Sequence, residues 1–381
     1  MLRNTQESEM NKTLKHRWSI SHNYLTGITF GKWCKLLAHN NFAVSPAYYH
    51  RAAVITLASL SNSVFAAVEN ARYRSKIEQT DIPTAPLFIL GHWRSGTTFL
   101  HELLAQDDVQ FQFPNTYQVV NPYTFLTTEY VTTRLFPWLV PNKRPMDNMA
   151  LKFTSPQEDE FAPLLMTLTS LYLGTSFPER MAHYDRHLTF RDITSEEVTA
   201  WKSAFVLFCK KLSLVDKRTL LIKSPPHTAR IRTILEMFPD ARFVHIHRNP
   251  YRVFRSTQHF FDTACWHTYL QRPDLDAIDE GILSRHELLY DAYYNDLPLI
   301  PENRIVDIRF DDLEADPVSQ LENIYASLDL DGFRAFEPKL RAYLATLKNY
   351  RKNEFNDLNS EAKALVAKRW ARSFEIGRYP T

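Results

Sequence analysis

Gly91 and Gly96 bracket His92, Trp93, Arg94 and Ser95, and two threonines, Thr97 and Thr98, follow. The spacing is that of a phosphate loop, Gly, four residues, Gly, but Thr97 stands where a nucleoside-triphosphate loop has lysine. A cation sits inside the loop instead, as Arg94. Loops of this kind point backbone N–H groups and a helix N-terminus at one anion. Without the lysine that reaches β- and γ-phosphates, the residues suit a phosphate group other than a triphosphate with Mg²⁺. The flanking sequence must supply the frame. Leu87 to Leu90 is an uninterrupted apolar run, as in a strand buried on both faces of a parallel sheet. Phe99, Leu100, Leu103 and Leu104 recur at helical spacing. Residues 86–106 therefore read as strand, loop, helix.

Two more apolar runs end in groups with chemistry. Thr219 to Ile222 leads into Lys223, Ser224, Pro225, Pro226 and His227, and active groups of open α/β sheets sit at the carboxyl ends of strands. Helical spacing resumes from Thr228 to Phe238. Ala241 to Arg248 reads as a third strand, with His245 and His247 on one face as rim or core histidines. Arg248 at its end and Ser256 on the next helix make a second oxyanion site, a guanidinium fork with a hydroxyl donor. Arg304 to Phe310 reads as a fourth strand. Ser155 with Glu158 fits a capping box with Pro156 at the first helical position, ahead of an apolar run from Phe161 to Leu173. The alternative role for Glu158, Asp159 or Glu160 is general base, with His227 as a further option. Ser195 is placed to cap a helix within Leu188 to Leu214.

The composition sets the outer bounds. The 381 residues are 44% hydrophobic with a formal net charge of +2, enough for a sizeable core and with no global field for nucleic acid. Three cysteines, Cys34, Cys209 and Cys265, lack metal or disulfide spacing, which suits a reducing, cytoplasmic setting. The opening residues lack a signal-peptide pattern. Ala47 to Ile77 reads as a long amphipathic helix with a cationic end at Arg72, Arg74 and Lys76. It is either a cap on the sheet domain or a surface that meets a membrane or a second subunit. The aromatic segment 107–145 is either an acceptor-pocket wall or a satellite apolar cluster.

Taken together and in order, Gly91–Thr98, Arg248 with Ser256, and Phe310–Pro317 resemble the sulfotransferases that use 3′-phosphoadenosine 5′-phosphosulfate (PAPS). The chain is most similar to the bacterial-type sulfotransferase family proteins, over residues 85 to 375. The resemblance implies that Arg94, Ser95, Gly96, Thr97 and Thr98 hold the 5′-phosphosulfate and that Arg248 and Ser256 hold the 3′-phosphate. It places Phe310 near the adenine, where the family has tyrosine. It implies a closing loop over the 3′-phosphate in Tyr350-Arg351-Lys352-Asn353. Lys223 is placed like the catalytic lysine of the tyrosylprotein branch. The Lys-x-His pair of the cytosolic branch is absent, so the base stays open among Glu158, Asp159, Glu160 and His227.

The predicted architecture is an α/β, P-loop-like three-layer fold with a central parallel β-sheet flanked by helices. Residues 1–84 form a helical N-terminal extension and residues 85–381 the sulfotransferase domain. The predicted reaction moves a sulfuryl group from PAPS to a hydroxyl of a carbohydrate, lipid or other small molecule and releases PAP. Arg94 and Lys223 face the leaving phosphate, Glu158 or Glu160 takes the acceptor proton, and no metal takes part. The rivals are a P-loop-type kinase or NTPase, with Mg²⁺-dependent ATP turnover, and a non-catalytic module binding PAP or a lipid surface, indifferent to loss of Lys223. The partners expected are the acceptor and no nucleic acid, with peripheral membrane contact through the N-terminal helices as an option.

Overall fold

The computed structural model describes residues 14–82, 85–140, 144, 146–147, 149–348, 353 and 355–381. Its centre is a five-stranded parallel sheet of β1 (Leu87–Leu90), β2 (Phe111–Gln112), β3 (Thr219–Lys223), β4 (Arg242–His247) and β5 (Ile305–Arg309), in the order β2-β3-β1-β4-β5. The period of two sorts the strand side chains into two layers. Leu87, Ile89, Leu221, Val244 and Ile246 face one core, and Phe88, Leu90, Ile222 and Phe243 the other. Both faces are covered, which is why β1 carries no polar residue.

The helices that matter for function follow in chain order: α1 (Phe30–His39), α2 (Tyr49–Glu78), α3 (Thr97–Leu104), α4 (Phe125–Leu135), α5 (Phe161–Thr167), α6 (Ser195–Val215), α7 (Pro250–Thr263), α8 (Ile278–Asp296), α9 (Phe310–Ala315) and α10 (Pro317–Ser327). α3 and α10 cover one face of the sheet through Leu100, Leu103, Leu104, Leu321 and Ile324. α6 covers the other through Trp201, Phe205 and Phe208. Residues 14–82 share that second core, since Tyr24, Leu25, Ile28, Trp33, Leu36 and Ile55 pack into it. The Arg51 guanidinium donates to the carbonyls of Trp266 (2.8 Å) and Tyr269 (2.9 Å), tying α2 to the turn after α7.

Two local expectations are corrected. Ser155 and Glu158 do not form a capping box. The Ser155 carbonyl accepts from Thr116 N–H at 3.0 Å, and Pro156 makes an antiparallel bridge to Asn115. That pairing holds the stretch extended, so the helix waits until Phe161. It stops at Thr167 because Leu168 turns left-handed, at φ 69°. The cap of α6 is Thr194 rather than Ser195, with Glu197 completing the box. β2 had no sequence signature: two residues are too short for a period, and it exists only as an edge on β3.

Candidate active site

Parallel register brings the chemistry to one edge. Ile89 lies beside Lys223, and Leu90 beside His245, so the loop after β1, Lys223 and the end of β4 share the carboxyl rim of the sheet. The loop needs both glycines. Gly91 has φ 144°, and a Cβ there would lie 2.4 Å from the Ile246 carbonyl oxygen. Gly96 has φ 106°, and a Cβ would lie 2.2 Å from the Phe310 ring. Arg94 is itself left-handed, at φ 69°. The first turn of α3 then leaves N–H groups of Thr97 and Thr98 without intrahelical acceptors.

The two predicted anion sites meet. Arg94 Nε donates to Ser256 Oγ at 3.0 Å, and Arg94 Nη1 pairs with Asp147 Oδ2 at 3.1 Å. Burial would raise the Asp147 pKa, but Arg144 and Arg94 outweigh it and hold the carboxyl below its usual range. Arg248 lies with its guanidinium 4.2 Å over the Phe310 ring, and its buried Nε has no partner among the described residues. Burial lowers its pKa, against the attraction of Glu314 and Asp311. A desolvated guanidinium with an unused donor is what an arriving phosphate would satisfy.

Two predicted donor ligands serve the loop itself. Ser95 is fully buried and its Oγ donates to the His92 carbonyl at 2.8 Å, so it braces the turn. Phe310 is buried too, because its ring fills the space that the missing Gly96 side chain leaves. It supports Arg248, whose guanidinium lies over its ring. Arg351 and Lys352 lie outside the described residues. Next to them, Asn353 Nδ2 donates to the Met146 carbonyl at 2.9 Å, beside Asp147.

The three consecutive acidic residues are each bound by a different part of one segment. Glu158 Oε1 pairs with Lys223 Nζ at 3.0 Å. Asp159 accepts from Ser224 Oγ at 2.8 Å and meets His227 Nε2 at 2.7 Å. Glu160 takes a bidentate fork from Arg230, at 2.7 and 3.0 Å, and a hydroxyl from Ser170 at 2.7 Å. Glu160 and Arg230 side chains are both 0% exposed. Glu160 is therefore walled off as a base and belongs to the framework, as do Asp159 and His227. Glu158 differs. It is only partly buried, its second oxygen accepts from Tyr172 Oη at 2.5 Å, and Trp93 Nε1 donates to that same Oη at 2.8 Å. Lys223 is 1% exposed and also reaches Thr98 Oγ1 at 3.5 Å. Burial lowers its pKa, while Glu158 favours its charged form.

A cavity of about 700 Å³ adjoins this pair, with Glu158, Trp93, Tyr172 and Arg144 in its wall. The remaining lining is mostly apolar and comes from stretches far apart in the chain, including Ile20, Tyr117, Trp138, Phe153, Leu171 and Phe260. The aromatic segment 107–145 thus divides. Tyr117 and Trp138 are wall, whereas Phe111 is core.

Residues 86–335 match the sulfotransferase family. The chain belongs to that family. It is 36% identical over 353 residues to the omega-hydroxy-beta-dihydromenaquinone-9 sulfotransferases Stf3 of Mycobacterium bovis and Mycobacterium tuberculosis, covering 93% of this chain and 90% of each relative. The fold is that of the sulfotransferase STF9 from Mycobacterium avium, with TM-score 0.68, 19% identity and 92% of each chain covered. It is also that of STF1 from M. tuberculosis H37Rv, with TM-score 0.63, 14% identity and 97% and 99% of the chains covered.

The sulfotransferase site also contains groups the sequence reading passed over. Tyr172 carried no signal, since it stands inside an apolar run and reaches Glu158 only through tertiary packing. Arg144 sat in a segment read only for its aromatics, and Asp147 lies just beyond that segment. Glu102 did carry one: it is four residues after Thr98 on α3, hence on the same helical face. Burial raises its pKa to about 7, against Arg144 and Lys223, which lower it.

Proposed function

We propose that this sulfotransferase moves the sulfuryl group of PAPS to a hydroxyl on a lipid acceptor and releases PAP. The observation that carries the reading is the large apolar cavity ending at Glu158, whose partner Lys223 also reaches Thr98 on the phosphate loop. A volume of about 700 Å³ is in the range of sites for sizeable small molecules, and apolar walls suit a hydrocarbon body. The name of the Stf3 relatives supports the same class, and makes an ω-hydroxylated menaquinone derivative the first acceptor to try.

The donor reading rests on two separate anion sites. Thr97 and Thr98 N–H groups with Arg94 suit the 5′-phosphosulfate, and Arg248 with Ser256 suits the 3′-phosphate. In the transfer, the acceptor oxygen forms a bond to sulfur while the bond from sulfur to the phosphate oxygen breaks. Charge develops on the leaving phosphate, and Lys223 and Arg94 are the cations placed to stabilise it. The acceptor proton passes to Glu158, which Tyr172 and Lys223 hold in position.

The test is incubation with labelled PAPS and hydroxylated lipids, followed by mass spectrometry for an added SO₃ group and measurement of PAP. Label in the lipid with stoichiometric PAP is the expected result. No PAPS binding and no PAP with any acceptor would end the proposal. Arg248→Ala is expected to weaken PAP binding by about ten- to a hundredfold, as loss of a charged hydrogen-bonding group does. Unchanged affinity in calorimetry would remove the 3′-phosphate role.

A further inference from the structure

Helix α2 has two unlike faces. Its inner face is bonded to the rest of the molecule. Asn62 Nδ2 donates to the carbonyls of Thr26 (2.7 Å) and Ile28 (3.1 Å), and Glu69 pairs with buried Lys211 at 2.5 Å. Its outer face is apolar and open: Leu57, Leu60, Val64, Phe65 and Val68 are exposed, Leu57 by 68% and Val64 by 64%. At 3.6 residues per turn, Val54, Leu57, Val64, Val68 and Arg72 lie along one stripe. The stripe thus ends on a cation, and exposed Lys76 follows one turn later.

The other end of the stripe runs into the acceptor site. Val54 lines the cavity, and so do Ile20, Trp138 and Leu139, which are also exposed to solvent, Trp138 by 71%. Cavity wall and outer apolar surface are therefore continuous. An open apolar stripe with a basic end, on a helix whose other face is packed, is the pattern of an interfacial amphipathic helix.

We propose that this face docks on an anionic phospholipid bilayer, so that the acceptor passes from the membrane past Ile20, Val54 and Trp138 to Glu158. The inference rests on the lipid-acceptor reading above. Residues 46–78 are long and apolar enough to cross a membrane. The bonds of Asn62 and Glu69 decide for lying on the surface, because spanning would break both and strand Lys211 in the core. Arg72 and Lys76 supply the charge complement to acidic headgroups.

Flotation of the full chain with vesicles tests this. Binding to vesicles containing phosphatidylglycerol is expected, falling as salt is raised. The double variant Leu57→Glu/Val64→Glu is expected to bind at least about tenfold more weakly, and Arg72→Glu to weaken binding to a lesser degree. These side chains are solvated, so the thermal midpoint and sulfation of a detergent-dispersed acceptor should stay as in the parent. Three results would overturn the proposal: parent protein that stays with the soluble fraction, a double variant that floats like the parent, or a stripe buried in a soluble dimer that the double variant dissociates. Each reads separately from catalysis. Sulfation of dispersed acceptor without vesicle binding strikes the docking surface alone, whereas absent sulfation with PAPS strikes the functional reading.

Discussion

The proposed donor edge and the proposed acceptor cavity are assembled in opposite ways. The donor edge is local. Gly91 to Thr98, Lys223, and Arg248 to Ser256 are three strand ends with the turns that follow, set side by side by parallel pairing. Charge chemistry needs fixed donors at short range, and backbone geometry supplies them. The cavity is dispersed, with walls running from Ile20 to Arg285 and no element contributing more than a few side chains. Shape selection by apolar contact can be spread in this way because each contact is weak. The two regions meet at the ion pair of Glu158 with Lys223 and at Trp93, which belongs to the loop and stands in the cavity wall.

That pair is the sharpest place to break the comparison. If Lys223 belongs to the donor edge, Lys223→Ala should lower kcat by about 10²–10³-fold, the usual loss when a transition-state charge loses its partner. Initial rates at saturating PAPS and acceptor would show it. A change confined to the acceptor KM would move Lys223 to the cavity side.

Glu158 and Glu160, two residues apart, divide along the same line. If Glu158 takes the acceptor proton, Glu158→Gln is expected to cost about 10²-fold or more in kcat with little loss of stability. Glu160→Gln leaves the buried Arg230 fork half answered and should destabilise the fold by roughly 3 kcal/mol, seen in denaturant unfolding. Equal stability losses in the two variants would show that Glu158 is framework as well.

Helix α7 carries both regions one turn apart. Ser256 bonds Arg94 on the donor side, while Phe260 lines the cavity. Ser256→Ala should weaken PAP binding by roughly tenfold or less, the worth of one hydrogen bond. Phe260→Ala should instead raise the acceptor KM by roughly tenfold and leave PAP binding alone. Loss of both properties in either variant would mean that the helix couples the sites rather than serving them separately.

The same division explains what could be read from the chain. The strand–loop–helix at 86–106, the α/β class and Lys223 at a strand end were all legible, because each is fixed by period, glycine geometry or short spacing. Glu158 and Glu160 were not separable. Both lie in one acidic run, and only Arg230, seventy residues downstream, takes Glu160 away. Tyr172 on Glu158 and the cavity itself depend on tertiary packing and had no local trace. Ser155 misled through a correct local rule: its cap signal lost to pairing of Pro156 with Asn115. The contacts by which Ser95 and Phe310 brace the tight loop had no local trace either.

Glu102 gives the smallest effect and the finest test of where the two regions meet. Burial pushes its carboxyl up to about 7, while Arg144 and Lys223 pull it down. The folded value thus lies above the unfolded one, so the fold holds this proton more tightly than the open chain does. Stability from this group is fully present below about pH 4.5 and is lost as pH rises through about 7. The shift sets a ceiling of about 3 kcal/mol on that loss, and partial solvent access reduces it to about 1 kcal/mol. Glu102→Gln removes the titration. Its thermal midpoint relative to the parent should therefore climb between about pH 5 and pH 8 and then level off. If Glu102 also senses the reacting groups through Lys223, the variant will lose a rate inflection near pH 7 that the parent shows. A midpoint difference independent of pH would show that burial does not raise the Glu102 carboxyl above its usual range, and would leave Glu158 as the carboxylate joining donor edge to cavity.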